Sequence, residues 1–509
     1  MICIQQQRAQ NGKRKIEARL ASPMPGENPD PVLAGRNIQY EVSGRMQGIG
    51  VGGLGAMHLF ARNIGLIEEI DDKLHLLKIH QPYHESDHVL AVAYNILAGG
   101  TCLDDLELLR NDHALLDALG ARRLPDPTTA GDFTRRFTFE DMDTLWEVYD
   151  TVRQRVWKAQ PDSFFDQAIV DMDGSIVQTW GECKEGMSMS FKGIWGYHPL
   201  LLTFANTGEV LRIVNRPGNR PSHEGAFAST DDVLEMLKGA GFRKILLRGD
   251  TDFSQTAHLD RWTDDPRVDF VFGIDAMPNL QDLAENQPES EWKPFERRPK
   301  PQPKTAPRQK PENVKEQVVK ENGYENKRLQ SEQVTEFEYR PGKCRKQYRL
   351  VVIRKNISVS EGESVLFDNI VYHFYLTNDF TQSATAIVHS AHERCHQENV
   401  IEQLKNQVRA LTAPVDNLDS NGAYMTMAAL AWNLKAWFAL SLPVTPGRWA
   451  EGHQETKTEV LKMEFKAFVN YFIRIPCQII RTGRKILYRI LGWNRWLPVF
   501  LRAVQAMRR

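Results

Sequence analysis

Carboxylates that end apolar strands can hold hard divalent cations, and two segments of this chain have that form. Gln167-Ala168-Ile169-Val170-Asp171-Met172-Asp173-Gly174-Ser175 reads as a short buried strand running into a turn, and the two-residue period puts Asp171 and Asp173 on one face. Lys244 to Asp252 is a second apolar strand ending in acids, Asp250 and Asp252. Ligands in α/β folds gather beyond the carboxyl ends of such strands. Both segments also have plainer explanations. Asp-Gly is a common hairpin turn. The second pair could cap the following helix, a task open equally to Asp252 or Ser254.

A third acid lies in a spaced set, Arg394-x3-Glu398-x6-Lys405, within a helix expected from about His392 to Leu411. At about 100° per residue from Arg394, Glu398 falls near 40° and Lys405 near 20°. Val400, Ile401, Leu404, Val408 and Leu411 fill an arc from roughly 240° to 340°. The three charges therefore border the apolar stripe, where they would line a cleft, although snorkelling side chains look the same.

The same helix carries His392-Glu393-Arg394-Cys395-His396, a literal H-E-x-x-H, which on other folds binds zinc. His392 and His396 fall at about 160° and 200°, on the side expected to be solvated. Nothing downstream matches the x-x-G-x-x-H extension, which weighs against a zinc metallopeptidase through His392, Glu393 and His396. Gly48 to Gly55 satisfies G-x-G-x-x-G, but helical patterns follow it to about Trp157 where a βαβ unit is needed. A flexible lead-in to a helix is the simpler reading.

Asp173-Gly174-Ser175, Arg248-Gly249-Asp250-Thr251-Asp252-Phe253 and Arg394-x3-Glu398-Asn399-x5-Lys405 together resemble the three acidic blocks of bacterial DDE transposases. The chain is similar, more narrowly, to the insertion-sequence thirteen-eighty family, in the cut-and-paste group whose helix signature is Tyr-x2-Arg-x3-Glu-x6-Lys. Ala98 to Glu107, Leu124 to Thr129 and Ala428 to Leu434 look like further blocks of that family, so the resemblance runs from about Gly53 to Arg509. Ala391 stands where the signature has tyrosine, with Tyr375 or His392 as candidate substitutes.

The resemblance implies an α/β fold, with an RNase H-like catalytic core, a β-rich insertion, and helical amino-terminal and carboxy-terminal regions. It implies Asp173, Asp250 and Glu398 as catalytic residues and metal ligands, with Asp171 as the alternate first ligand, and Arg394 and Lys405 on DNA phosphate. Carboxylate oxygens suit Mg²⁺, or Mn²⁺ in its place, better than zinc. The expected partners are double-stranded DNA, as terminal inverted repeats and target, and a second copy of the chain in a homodimer. Related enzymes often pass through a hairpin intermediate. An inactive remnant that binds DNA ends is the alternative.

Element order agrees with such a core. Strand patterns at Ala168 to Val177, Trp195 to Asn206 and Glu209 to Asn215 precede a helix from about Ser222 to Gly239. The Asp250 strand, a short helix and the strand Val268 to Gly273 follow. Since 398 − 250 leaves 148 positions between the last two acids, an insertion is required. Lys293 to Lys310 has seven Lys or Arg against one Glu, with five prolines, and reads as an extended basic linker. Alternating patterns at Thr335 to Tyr339, Gln347 to Ile353, Ser364 to Phe367 and Val371 to Leu376 then suggest strands.

These boundaries give a disordered segment at 1–35, a helical DNA-binding or dimerisation region at 36–158, and a core at 159–280 and 376–445. The basic linker and insertion occupy 281–375, and a basic, aromatic, helical region 446–509. Short helices such as Thr129 to Phe137 are compatible with helix-turn-helix reading of DNA ends, with Arg135 and Arg136 able to face phosphate. Net charge over the 509 residues is only −1, so no global field advertises nucleic acid. Tyr471 to Arg509 nevertheless has nine Lys or Arg and no acid, interleaved with Tyr488, Trp493, Trp496 and Phe500, a surface suited to phosphates and bases. Six cysteines without a C-x-x-C pair suggest free thiols. With no apolar signal core and no membrane partner indicated, a bacterial cytoplasmic, nucleoid-associated location is expected.

Overall fold

The chain's apolar, β-branched runs assemble into one nine-stranded sheet in the computed structural model, which describes residues 2–21, 38–41, 46–299, 314–361, 364–483 and 485–508. Its strands are β1 (Gln167–Gly174), β2 (Leu200–Phe204), β3 (Glu209–Val214), β4 (Lys244–Gly249), β5 (Val268–Ile274), β6 (Lys293–Pro294), β7 (Glu325–Tyr339), β8 (Tyr348–Glu361) and β9 (Ser364–Thr377). Their spatial order is β6-β7-β8-β9-β5-β4-β1-β2-β3. β1 lies parallel to β4, and β4 to β5, whereas β2 adds antiparallel to β1 and β3 antiparallel to β2. Ile245, Leu246 and Leu247 of β4 are all buried, as a strand covered on both faces requires.

Chain order through this part is three strands, the helix Ala226–Ala240, β4, the helix Thr256–Asp264 and β5, as the sequence patterns suggest. The insertion differs from its expected form. Its four short runs become three strands of 15, 14 and 14 residues, because Ser364–Phe367 and Val371–Leu376 belong to one continuous strand. β9 pairs with β5 through Phe374–Thr377 opposite Val271–Ile274, so the insertion prolongs the core sheet. Most of the basic linker lies outside the described residues. Its start is ordered: Lys293 pairs with Val334, Arg297 binds Glu332, and Arg298 binds Glu393.

The helix Leu418–Leu440 is buried along nearly its whole length against the helices Glu85–Ala98 and Phe139–Trp157 and against β3. Asn433 and Lys435, polar residues in its apolar second half, are satisfied internally. Asn433 exchanges both amide hydrogen bonds with the backbone of Val210 at 2.9 Å, and the Lys435 ammonium donates to the Leu461 carbonyl at 3.1 Å. No single described helix is long and apolar enough to cross a membrane.

Three expectations fail locally. Residues 2–21 form a helix where disorder was expected, and Lys13 of it sits over the Trp493 ring. The carboxy-terminal region contains a hairpin, Cys477–Thr482 with Lys485–Ile490, against which Gln47–Ile49 adds a third strand. The second half of the glycine-rich run is packed against other segments and is not a free lead-in. A Cβ on Gly53 would meet the Phe472 carbonyl, and one on Gly55 the Tyr488 ring. Arg135 is held by Asp132 and Asp416.

Candidate active site

β1 and β4 are parallel neighbours at the centre of the sheet, and Asp171 pairs with Arg248 in their register. The Arg248 guanidinium takes both Asp171 oxygens, at 2.6 and 2.8 Å, and its remaining nitrogen donates to the Ser390 carbonyl at 2.9 Å. Both side chains are almost fully buried. Burial pushes the Asp171 carboxyl up, and the Arg248 charge opposes that push. Asp171 thus spends its lone pairs on tying β1 to β4, and Arg248 carries the tie on to the helix Ala384–Glu393.

Asp173, one pleat further, has a different environment. One oxygen accepts from Arg394 at 3.3 Å and the other from the Gly174 amide at 2.8 Å. Burial pushes its carboxyl up to about 6, against the Arg394 charge, and Asp250 adds to the rise. Asp250, just beyond β4, is also raised by burial, opposed by Arg394, with Asp252 and Asp275 contributing repulsion. The two acids therefore share one field, and Arg394 is the cation that offsets it. Asp250 itself caps the Thr251–Phe253 turn, accepting from the Asp252 amide at 3.1 Å, so neither Asp252 nor Ser254 takes that task.

Gly174 is not the second residue of a hairpin turn. It continues β1 opposite Leu200, with Ser175 bonding to the Pro199 carbonyl. Its lack of a side chain answers to packing. A Cβ here would lie 2.7 Å from His198 Nε2 and 2.9 Å from Ser222 Oγ. His198 Nδ1–H donates to the Arg220 carbonyl at 2.8 Å, which leaves the lone pair on Nε2, and burial keeps the ring neutral. Buried Arg216 fastens this loop through the carbonyls of His198, Ser222 and Glu224. Gly174→Ala is expected to cost about 1–3 kcal/mol through overpacking, read as a lower urea midpoint. Adding Ser222→Ala should restore part of the loss.

The expected single helix from His392 to Leu411 is broken. Ala384–Glu393 and Cys395–Asn406 are separate helices joined at Arg394, where three-residue hydrogen bonds (Arg394 to Ala391, Gln397 to Arg394) tighten the winding. Beyond the break the faces derived from a continuous helix still hold, since Gln397, about 300° from Arg394, lies within the apolar arc. Gln397 turns inward and donates to the Asp171 carbonyl at 2.9 Å. Lys405 donates to the Ile176 carbonyl at 2.9 Å and is close enough to Asp173 for that charge to act on it. Glu398 is exposed, so the structure brings Asp173, Asp250, Arg394 and Lys405 together but does not draw Glu398 in with them. Among the described residues, no three His, Cys, Asp or Glu side chains are grouped to hold a metal ion.

The histidine motif is divided by the same break. His392 is half-buried, contrary to its expected solvated side, with its ring edge-on to Phe295 at 5.8 Å and to Tyr375 at 6.2 Å. Glu393 is bound by Arg298, and His396 is exposed on the next helix. Zinc chemistry therefore has no shared helix face to use. Tyr375 and His392, the candidate substitutes for the absent signature tyrosine, meet beside Ala391, with the Tyr375 hydroxyl pushed up to about 12 by burial.

What the arrangement can do follows from its donors. Two carboxylates at the carboxyl ends of adjacent parallel strands repel each other and have hard oxygens, so a hard cation fits between them chemically. Arg248, His198, Ser222 and Gln397 were not legible as site residues. Arg248 carried one signal, its place two residues before Asp250 on the same strand face.

No curated protein matches the chain. A solved structure described as a piggyBac transposase synaptic complex with hairpin DNA is 10% identical, with 82% of this chain and 88% of that chain covered, at a TM-score of 0.33. Residues 30–509 match the family described as transposase DDE domain group 1, and the chain belongs to that family.

Proposed function

We propose that the protein cuts DNA at the terminal inverted repeats of the insertion sequence that encodes it and joins the ends to target DNA, as a member of the insertion-sequence thirteen-eighty family. The observation that carries the reading is the convergence of Asp173 and Asp250 in one field while neighbouring Asp171 is consumed by Arg248. Asp173 is accordingly the first ligand and Asp171 a buried strut. The strand order β3-β2-β1-β4-β5, with the first two pairings antiparallel and the last two parallel, supports an RNase H-like core.

Asp173 and Asp250 would hold Mg²⁺, or Mn²⁺ in its place, with Glu398 as the third carboxylate. Bound metal supplies activation of the attacking hydroxyl and charge stabilisation at the leaving oxygen. The chain's own groups do the rest. Arg394 holds the acids against mutual repulsion and, one helical turn before Glu398, stands ready for phosphate. Lys405 adds a second cation beside Asp173. Gly174 lets β1 approach the His198 and Ser222 loop closely, which fixes the height of Asp173. A homodimer bridging two ends, a hairpin intermediate and a bacterial, nucleoid-associated setting belong to the same proposal.

The exposed Glu398 favours one second reading, a protein that binds repeat ends and no longer cuts. The two are separated by cleavage of a labelled duplex carrying the element's own terminal repeat, in Mg²⁺ or EDTA. Wild type should cut only with metal, Glu398→Gln should not cut, and His392→Ala/His396→Ala should cut normally. Binding without cutting by folded wild type selects the second reading, and cutting by Glu398→Gln removes Glu398 from the site.

A further inference from the structure

Between β1 and β2 the chain makes an excursion, residues 175–199, that the catalytic reading does not use. It folds as a small three-stranded sheet of Val177–Gln178, Ser188–Met189 and Trp195–Tyr197. The sheet is firmly built. Tyr197 donates to the Glu185 carbonyl at 2.8 Å, Lys184 to the Ala413 carbonyl at 2.6 Å, and a Cβ on Gly218 would strike the Ser188 carbonyl. A hairpin closed by the Ser190 amide on the Ile194 carbonyl, with Gly193 at φ +71°, carries its tip.

Rigid scaffolding that holds large apolar side chains in water calls for an explanation. Trp180 is 84% exposed, Phe191 80%, Trp195 50% and Met189 48%. Met189 faces Trp195 directly across the strand pair, Trp180 follows the residue bonded to the Trp195 carbonyl, and Phe191 sits at the hairpin tip. None of the three rings stacks on another aromatic ring among the described residues, and each keeps half or more of its surface in water. Lys192 lies over the Phe191 ring at 5.3 Å.

The sheet's position supplies the occupant. The excursion leaves β1 directly after Asp173 and Gly174, and Lys405 is anchored on its Ile176 carbonyl. Burial lowers the Lys405 ammonium, with the Asp173 charge opposing and the Lys192 charge adding to it, so the hairpin and the first acid both act on this one lysine. Exposed rings beside a lysine suit bases lifted out of the duplex, since every base has a π-face and phosphate follows it. Paired duplex offers such faces only at its ends.

We propose that Trp180, Phe191 and Trp195 form a stacking platform for unpaired DNA bases next to the bond being cut. The proposal rests on the DNA-cutting reading. Its test is fluorescence anisotropy in EDTA, where nothing is cut, with two labelled duplexes identical except that four terminal nucleotides of one are unpaired. Wild type should prefer the unpaired end by about tenfold or more, given typical stacking on aromatic side chains. Trp180→Ala/Phe191→Ala/Trp195→Ala should bind both duplexes alike, with its affinity for the paired one within about twofold of wild type. Trp180→Phe/Trp195→Phe should retain the preference, because a ring remains. A preference unchanged in the alanine variant overturns the platform, as does equal loss on both duplexes with a sedimentation shift to monomer, which would make the face a contact between copies. Wild type that binds neither duplex sinks the transposase reading as well, whereas DNA bound without dependence on these rings sinks the platform alone.

Discussion

Asp173→Asn should abolish DNA cutting and, at pH 8, make the folded protein more stable. On the proposed reading the variant loses a metal-holding carboxylate worth several kcal/mol of stabilisation, so the cutting rate should fall on the order of a thousandfold or more. The stability gain follows from linkage. Burial raises the folded Asp173 carboxyl to about 6, above the roughly 3.9 of an unfolded chain. A raised carboxyl favours folding only when protonated, so that contribution is complete below about 4 and lost as pH rises through 6. Asparagine stays neutral throughout, and at pH 8 it should be favoured by about 2–3 kcal/mol. Urea midpoints at pH 8 and pH 4 check the sign, and the advantage should vanish at the lower pH. A variant less stable than wild type at pH 8 would mean that the Arg394 pair outweighs burial.

Asp171→Asn, two residues away, should shift stability in the opposite direction. Burial raises the Asp171 carboxyl too, but this carboxylate shares a two-point bond with a guanidinium just as deeply buried, and removing one partner strands that charge in the interior, a cost that outweighs the relief. The expected loss is about 3–5 kcal/mol, with Arg248→Met costing a similar amount. Because Arg248 also holds the Ser390 carbonyl, the helix before Arg394 should loosen in either variant, visible as faster hydrogen exchange over 384–393. Asp171→Leu/Arg248→Met should be more stable than the sum of its parts, since no unpaired charge remains. Additive losses would show that the pair is not a unit. Opposite signs at 171 and 173 separate the strut from the ligand without any measurement of catalysis.

How much of this was legible in the sequence depends on how local the signal is. The core strands are apolar runs ended by acids or turns, and the period of two gives the face that Asp171 and Asp173 share. That period could not separate their roles, because Arg248 arrives from a strand 77 positions later. The insertion's strands were found as fragments, since register with β5 is set by the sheet and not by nearby residues. The helix break at Arg394 has no proline or glycine to announce it, and Glu398, expected along a cleft, stands exposed beyond it. Gly174 was readable as a turn residue, whereas its reason for being glycine is a histidine and a serine from other segments.

The long strands of the insertion have a consequence of their own. Only four residues at the carboxyl end of β9 pair with the core, so the remaining 364–373 stretch runs roughly 30 Å past that edge, hydrogen-bonded to β8 and not to the core. Near the far end most side chains of 325–331 stand in water. A ribbon of this kind behaves as a cantilever. Its free end can lengthen, shorten or change its surface between relatives without disturbing the register that holds Asp173 and Asp250, which leaves the family a place to acquire new binding habits while its chemistry stays fixed.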